Sequence, residues 1–198
     1  MNERSFASIE VPDRRAHILK VANRLFSQKG YHSTSMRDLA AALGLTQGSL
    51  YNHFASKEEL LFAIIDHVSD EFLAALEPIA QSEASPIEKL RAAVRVHLQV
   101  IAENLETATV FLNEWKFLSP DYKERIKAKR DRYEALFRAI IAQGVEQGEL
   151  RSVDIKFATM LTLSALNWFY QWYSPKGPLT AEEIADRYVD LLLGGLRR

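Results

Sequence analysis

The chain reads as all-α, about nine helices in total, with three short N-terminal helices followed by a larger helical region. Three observations predict this. Apolar residues recur at intervals of three and four through every long segment. Several of those segments open on a Ser, Thr or Asp, often with an acid three residues later, the pattern of a capped helix start. Strand signals and internal repeats are absent from the sequence.

The first helix spans about Asp13 to Lys29 and carries Ile18, Ala22, Leu25 and Phe26 on one side. The second runs from about Ser35 to Leu43. Thr34 and Ser35 are its candidate caps, Ser35 and Asp38 form a capping box with Asp in place of the preferred Glu or Gln, and Gly44 ends it. Leu45 plugs the turn, and Thr46 caps a third helix to about His53. Ser56 and Glu59 box a fourth, with Leu60, Leu61, Ile64, Ile65, Val68, Phe72 and Leu76 at helical spacing, ending near Pro78. Ser85, Pro86 and Glu88 start the fifth. A shorter sixth helix spans about Leu105 to Leu118. Ser119-Pro120 opens the seventh, which reaches about Gln147 with Gly144 and Gly148 marking its end. Asp154 caps an eighth helix to about Tyr173. It is apolar on nearly all sides, so burial is expected, some of it against a partner subunit. A loop over 173–179 precedes the last helix, boxed by Thr180 and Glu183 and ending at Gly194-Gly195.

Residues 34–54, TSMRDLAAALGLTQGSLYNHF, carry the clearest functional pattern. Met36, Leu39, Ala40, Leu43, Leu45 and Leu50 fall where they would face one small core, and Ala40 sits where two helices must approach closely. Arg37, Gln47, Ser49, Asn52 and His53 point outward. Two short helices about a tight turn form a helix-turn-helix, whose second helix enters the DNA major groove. A helical hairpin with no nucleic-acid role shares the same local pattern.

The formal net charge is −1 over 198 residues, with 47% hydrophobic and 26% charged residues and no cysteine. Residues 1–56 hold seven Lys/Arg against four acids, a basic head on an acidic body, which predicts salt-sensitive DNA binding. No apolar run is long enough to span a bilayer. The N-terminus lacks a secretion signal and reads as a flexible arm over 1–12, and a cytoplasmic location is expected. The absence of cysteine leaves no disulfide or thiolate metal site.

The block from Asp13 to about Val68 closely resembles the DNA-binding domain of TetR-family transcriptional regulators. The resemblance rests on Ile18, Ala22, Leu25, Phe26, Gly30-Tyr31, Thr34-Ser35, Asp38-Leu39-Ala40, Gly44-Leu45, Gly48-Ser49-Leu50-Tyr51, Phe54 and Ser56-Lys57-Glu58-Glu59-Leu60. It implies a homodimeric regulator, most simply a repressor, that binds a near-palindromic double-stranded operator and dimerises through its last two helices. The implied division is 13–56 for DNA binding, 57–80 as a connecting helix, and 81–198 for effector binding and dimerisation. By the same resemblance Tyr51 contacts a phosphate and Gly48 lets the backbone approach DNA. Lys57, at a helix N-terminus, offers charge to phosphate, and Thr34 and Ser35 are further phosphate candidates. Thr46 and Gln47 are the base-reading candidates, since glutamine pairs bidentate with adenine and threonine offers a methyl or a hydroxyl. Many family members carry lysine at the position of Gln47, so affinity here leans on Arg37, His53 and Lys57.

The body is rich in aromatics. The candidate effector pocket comprises His97, Phe111, Asn113, Trp115, Tyr133, Phe137, Asn167 and Trp168, suited to a small apolar molecule. The stretch from Phe111 to Ile141, with NWFYQWY and PLTAEEIADRYVDLLLGGL, is similar to TetR-type regulators that respond to acyl-CoA thioesters. That similarity implies that Lys127, Arg130 or Arg138 meets CoA phosphates. His67 and Glu71 lie one turn apart but do not make a metal site, and no metal or further cofactor is expected. No catalytic constellation is present, so an enzyme is not expected. The alternatives are a constitutive dimeric DNA-binding protein without an effector, and an enzyme carrying a helix-turn-helix head.

Overall fold

A computed structural model describes residues 14–196. The expected arm over 1–12 and the helix start at Asp13 lie outside the described residues. The elements are α1 (Arg14–Lys29), α2 (Met36–Leu43), α3 (Gln47–Tyr51), α4 (Lys57–Gln81), α5 (Pro86–Glu103), α6 (Leu105–Glu114), a 3-10 turn (Trp115–Phe117), α7 (Pro120–Glu146), α8 (Ile155–Asn167), α9 (Phe169–Trp172) and α10 (Ala181–Leu196). The expected all-α architecture holds, and α9 is the far end of the expected eighth helix, set off by a break at Trp168.

Local chemistry explains most boundaries. Ser85 accepts from the Glu88 N–H while the Glu88 carboxylate takes the Ser85 N–H at 2.9 Å, a complete capping box. Thr180 and Glu183 do the same for α10. Two expected endings move, and one expected end-marker proves to lie inside its helix. α4 continues through Pro78 to Gln81; proline removes one backbone donor near the helix end, and the last turn closes on an Ile79 carbonyl instead. Gly144 lies inside α7 and is a packing glycine, because a Cβ there would come within 2.7 Å of Leu150 Cδ1. Gly148, at φ 75°, makes the left-handed turn. α10 runs through Gly194 and Gly195 to Leu196.

Two cores share α4. Leu60, Leu61, Phe62, Ile64 and Ile65 join Ile18, Ala22, Phe26, Leu39, Ala40, Leu50 and Phe54 in the head. One turn later, Val68, Phe72, Leu73 and Leu76 enter the body core with Leu90, Val94, Leu98, Phe137, Ile140 and Ile141. Val110, Leu118 and Ile126 of the body also pack into the head core, so head and body meet through apolar contact. α10 lies on α5, where Arg95 pairs with Asp186 at 2.6 Å and Arg91 with Asp190 at 3.5 Å.

Candidate functional site

The head is built by caps at short intervals. Ser35 Oγ accepts from the Asp38 N–H at 3.1 Å, and the Asp38 carboxylate accepts from the Ser35 N–H at 2.8 Å. The Ser35 hydrogen bonds hold the Asp38 carboxyl below its usual range. Gly44 enters the left-handed region at φ 64°, and the Leu45 N–H then reaches back to the Ala40 carbonyl at 2.9 Å, turning the chain toward α3. Thr46 Oγ1 accepts from the Ser49 N–H at 3.1 Å and starts α3. Leu50 and Phe54 are fully buried beneath. This leaves Arg37, Thr46, Gln47, Gly48, Tyr51 and Asn52 exposed, with Ser49 and His53 half-buried. Arg15 was not anticipated: its guanidinium donates to the His53 carbonyl and lies 4.1 Å over the Phe54 ring, tying the end of α3 to α1. The Arg14-Arg15 pair reads in sequence as solvated charge, so nothing there marked it.

One expected DNA contact is corrected, and a second is engaged within the chain. Thr34 is fully buried, and its hydroxyl donates to the Gly30 carbonyl at 3.0 Å, so it faces neither solvent nor α2's free N–H groups. The Lys57 ammonium donates to the Tyr31 carbonyl at 2.8 Å and sits 4.2 Å over the Tyr31 ring, with burial lowering its pKa. It ties α4 to the α1–α2 turn while remaining half-exposed. The α4 N-terminus is likewise occupied: Ser56 caps the Glu59 N–H, and the Glu59 carboxylate takes the Ala55 N–H at 2.6 Å, one residue earlier than a capping box would.

Behind the head lies a cavity of about 450 Å³ between α4, α5, α6, α7 and α8. Of the expected pocket residues, His97, Phe111, Trp115, Tyr133 and Asn167 line it. Phe137 lies behind the wall, fully buried with its ring edge toward His97. Asn113 is half-buried outside the cavity lining, and its side-chain oxygen accepts from the Tyr170 hydroxyl at 2.9 Å. Trp168 faces outward, 63% exposed. Ser69, Phe72, Met160, Leu163 and Ser164 complete the wall; only the register of α4 and α8 against α7, absent from the sequence, brings them there. Exposed Lys127 and Arg130 stand at the rim with Asp131, and the Arg130 guanidinium lies 4.6 Å over the Trp115 ring. Arg138 is not there; it is paired with Glu134.

The inner wall centres on His97. Its Nδ1 lies 3.0 Å from the Tyr133 hydroxyl, and both side chains are buried. Burial pushes the imidazole pKa down to about 3, with Asn167 offsetting a little of this, and the same burial pushes the Tyr133 phenol up. The sign for stability follows. The unfolded chain binds a proton at His97 near pH 6.5 and the folded chain does not until about pH 3, so acid favours unfolding across that window. His97→Gln is expected to lose less stability than the natural chain between pH 6.5 and pH 4, as read by urea midpoints at each pH.

Several contacts join this cavity to the head. Trp115 lines the cavity, and two residues on, Phe117 stacks on Tyr31 at 6.0 Å and meets His32 edge-on at 4.0 Å. The Ser119 N–H donates to the Glu58 carboxylate at 2.5 Å. Lys129 from the cavity wall pairs with Asp66 and Asp70 on α4 at 2.6 and 2.7 Å. Phe157, Met160, Leu161, Trp168 and Leu191 are exposed, Met160 at the cavity and the others outside its lining. The expected burial of the eighth helix is therefore incomplete in one chain, because its outer face has no neighbour. His67 and Glu71 pair with each other at 3.4 Å on the surface. Among the described residues no helix is long and apolar enough to cross a membrane.

Residues 18–64 match the family described as bacterial regulatory proteins, tetR family, and residues 83–196 match the tetracyclin repressor-like C-terminal domain. The chain is 44% identical to the TetR-family transcriptional regulator PfmR of Thermus thermophilus, covering 91% of this chain and 99% of that one with a TM-score of 0.85. It is 33% identical to AibR in complex with isovaleryl coenzyme A and operator DNA, covering 90% and 97%, with a TM-score of 0.83. It is 28% identical over 191 residues to the transcriptional repressor KstR2 of Mycobacterium tuberculosis, covering 96% of each. Proteins of this kind bind operator DNA, typically as dimers, and are not enzymes. With a capped helix-turn-helix at one end, a ligand-sized cavity behind it and both domains matched along their length, the chain belongs to the TetR family of transcriptional regulators.

Proposed function

We propose that the protein is a cytoplasmic homodimeric repressor that leaves its operator when an acyl-CoA thioester fills the cavity. The observation that carries this is the cavity's division: an aromatic inner wall of Phe72, Phe111 and Tyr133, and a charged side where Lys127 and Arg130 stand among Asp131 and Glu134. An acyl chain suits the first and CoA phosphates the second, with the nucleotide beyond the mouth. The similarity to AibR, whose complex holds isovaleryl coenzyme A, supports the same ligand class. A ligand shifts the equilibrium only by its differential affinity for two states. Here it would act through the Trp115–Phe117 turn and Lys129, both of which touch the cavity and the head or α4. Residues 57–80 would carry that displacement from the effector domain (81–198) to the DNA-binding domain (13–56).

Thr46, Gln47 and Asn52 are assigned to the major groove, and Ser35, Arg37, Ser49, Tyr51 and His53 to the DNA backbone. Gly48 supports this placement. It is exposed, and a Cβ there would meet nothing in the chain closer than Thr46 Oγ1 at 4.0 Å. Internal packing therefore does not demand a glycine that costs a helix about 1 kcal/mol; close approach of DNA accounts for it. Gln47→Ala is expected to relax preference at one base pair, worth about 1–3 kcal/mol of discrimination. Tyr51→Phe should weaken all sequences alike. Anisotropy against a set of single-base operator variants separates the two, and an unchanged preference in Gln47→Ala ends the base-reading assignment.

The effector reading is tested by anisotropy of labelled promoter DNA with isovaleryl-CoA, longer acyl-CoAs and free CoA. Release by a thioester and not by free CoA is expected. DNA affinity unmoved by every thioester sinks the reading and leaves the constitutive binder.

A further inference from the structure

The His97–Tyr133 pair has a proton inventory that fixes what the cavity can ask of its ligand. Tyr133 is nearly fully buried, and its hydroxyl makes one hydrogen bond, to His97 Nδ1 at 3.0 Å. A phenol has one proton to give. If Nδ1 carried the imidazole proton, Nδ1 would donate to the phenol oxygen and the phenol O–H would be left buried without an acceptor, a costly arrangement. The satisfied arrangement has the Tyr133 O–H donating to a bare Nδ1, which puts the imidazole proton on Nε2. His97 Nε2 is buried and meets no partner at hydrogen-bond geometry, although His97 lines the cavity. The Asn167 side chain shares this wall close enough to hydrogen-bond the imidazole weakly, which raises its pKa slightly, and an effector carbonyl would have to take the place of that contact. Phe72 lies 5.0 Å from the His97 ring, and Phe137 presents its edge from behind.

We propose that His97 is the specificity-determining residue of the cavity: positioned by Tyr133, it presents Nε2–H as a single donor to an uncharged carbonyl oxygen of the effector. This deepens the proposed function and rests on its reading of the cavity as the effector site. A carbonyl satisfies the donor at little cost. A carboxylate in the same place would be buried among aromatic rings, where a charge costs far more than a carbonyl's dipole, and Lys129 is committed to Asp66 and Asp70. A saturated chain leaves the donor unpaired. For a thioester this places the carbonyl beside His97 with the acyl chain along the aromatic wall.

The test has one arm without ligand and one with. Long-range 1H–15N spectra of the full-length protein labelled at histidine, with the His97 signal assigned by its loss in His97→Gln, read the tautomer at neutral pH. The Nε2–H form is expected, and Tyr133→Phe should weaken that preference. A dominant Nδ1–H form or an imidazolium overturns the proposal whatever the ligand. Titration calorimetry then compares octanoyl-CoA with S-octyl-CoA, the thioether that lacks only the carbonyl oxygen. The thioester is expected to bind about tenfold tighter or more, with the ratio falling toward one in Tyr133→Phe. Equal affinity overturns the proposal. If neither CoA compound binds, the acyl-CoA reading fails by itself, and 2-octanone is added to the labelled protein. A downfield movement of the His97 Nε2–H signal sustains the donor, and an unmoved signal ends it.

Discussion

Leu161→Asp is expected to turn the dimer into a monomer and to lower operator affinity by about 100-fold or more. Leu161 is 59% exposed on α8, flanked by Phe157 at 69%, Met160 at 51% and Trp168 at 63%, with Leu191 of α10 at 79%. An exposed apolar face of this extent marks an interaction surface. Against a second copy of itself, it would bury each of these side chains twice over. An aspartate at its centre would place two carboxylates in a dry interface, one from each subunit, where an unpaired charge is strongly disfavoured. The loss at the operator is large because two linked heads gain from effective concentration, by roughly 10²–10⁴, and a single head forfeits that gain. Sedimentation gives the mass and anisotropy the affinity. A Leu161→Asp protein that remains dimeric would move the interface elsewhere. The head lies away from α8, so circular dichroism of the variant should retain its helical signal.

Phe137→Ala carries the largest expected loss of folding stability, about 3–5 kcal/mol. Phe137 is fully buried, 5.5 Å from the Tyr133 ring and edge-on to His97, and it supports both from behind. Its removal opens a void under the inner wall that close-packed neighbours fill only in part. For a chain of this length the midpoint should fall by roughly 10 °C, since each kcal/mol corresponds to about 2–4 °C. Calorimetry at neutral pH measures it. A loss below about 1 kcal/mol would mean that the wall collapses onto the gap, and the cavity should then shrink for any ligand.

Capping chemistry is local, which is why the head was legible residue by residue. Ser35 with Asp38, Gly44 and Thr46 act within four residues of themselves, so the sequence order already contains the geometry. The places where expectation and structure part turn on partners that helical periodicity does not reveal. Lys57 and Thr34 look like surface polar residues in sequence. Their partners, the carbonyls of Tyr31 and Gly30, are backbone groups that no side-chain pattern advertises. Gly144 read as a helix stop because glycine usually is one, but Leu150 packs onto it from the following loop. In the body, aromatic residues are equally at home in a core and a cavity wall. Composition could not separate Phe111, which lines the cavity, from Phe137 behind it or Trp168 outside.

The sequence by itself determined the all-α class, nearly every helix start, the helix-turn-helix and the family. These depend on periodicity, caps and motif spacing, which are properties of neighbouring residues. Tertiary structure alone decided which polar groups are free to act. It tied Lys57 to the Tyr31 carbonyl and set Arg15 against the turn that follows α3. It also brought His97, Tyr133 and Asn167 from three helices to one wall and left one face of α8 uncovered. The physical reason is that availability depends on what packs against a side chain from elsewhere in the chain. Those contacts join residues 26 to 70 positions apart, a range over which helical spacing carries no information.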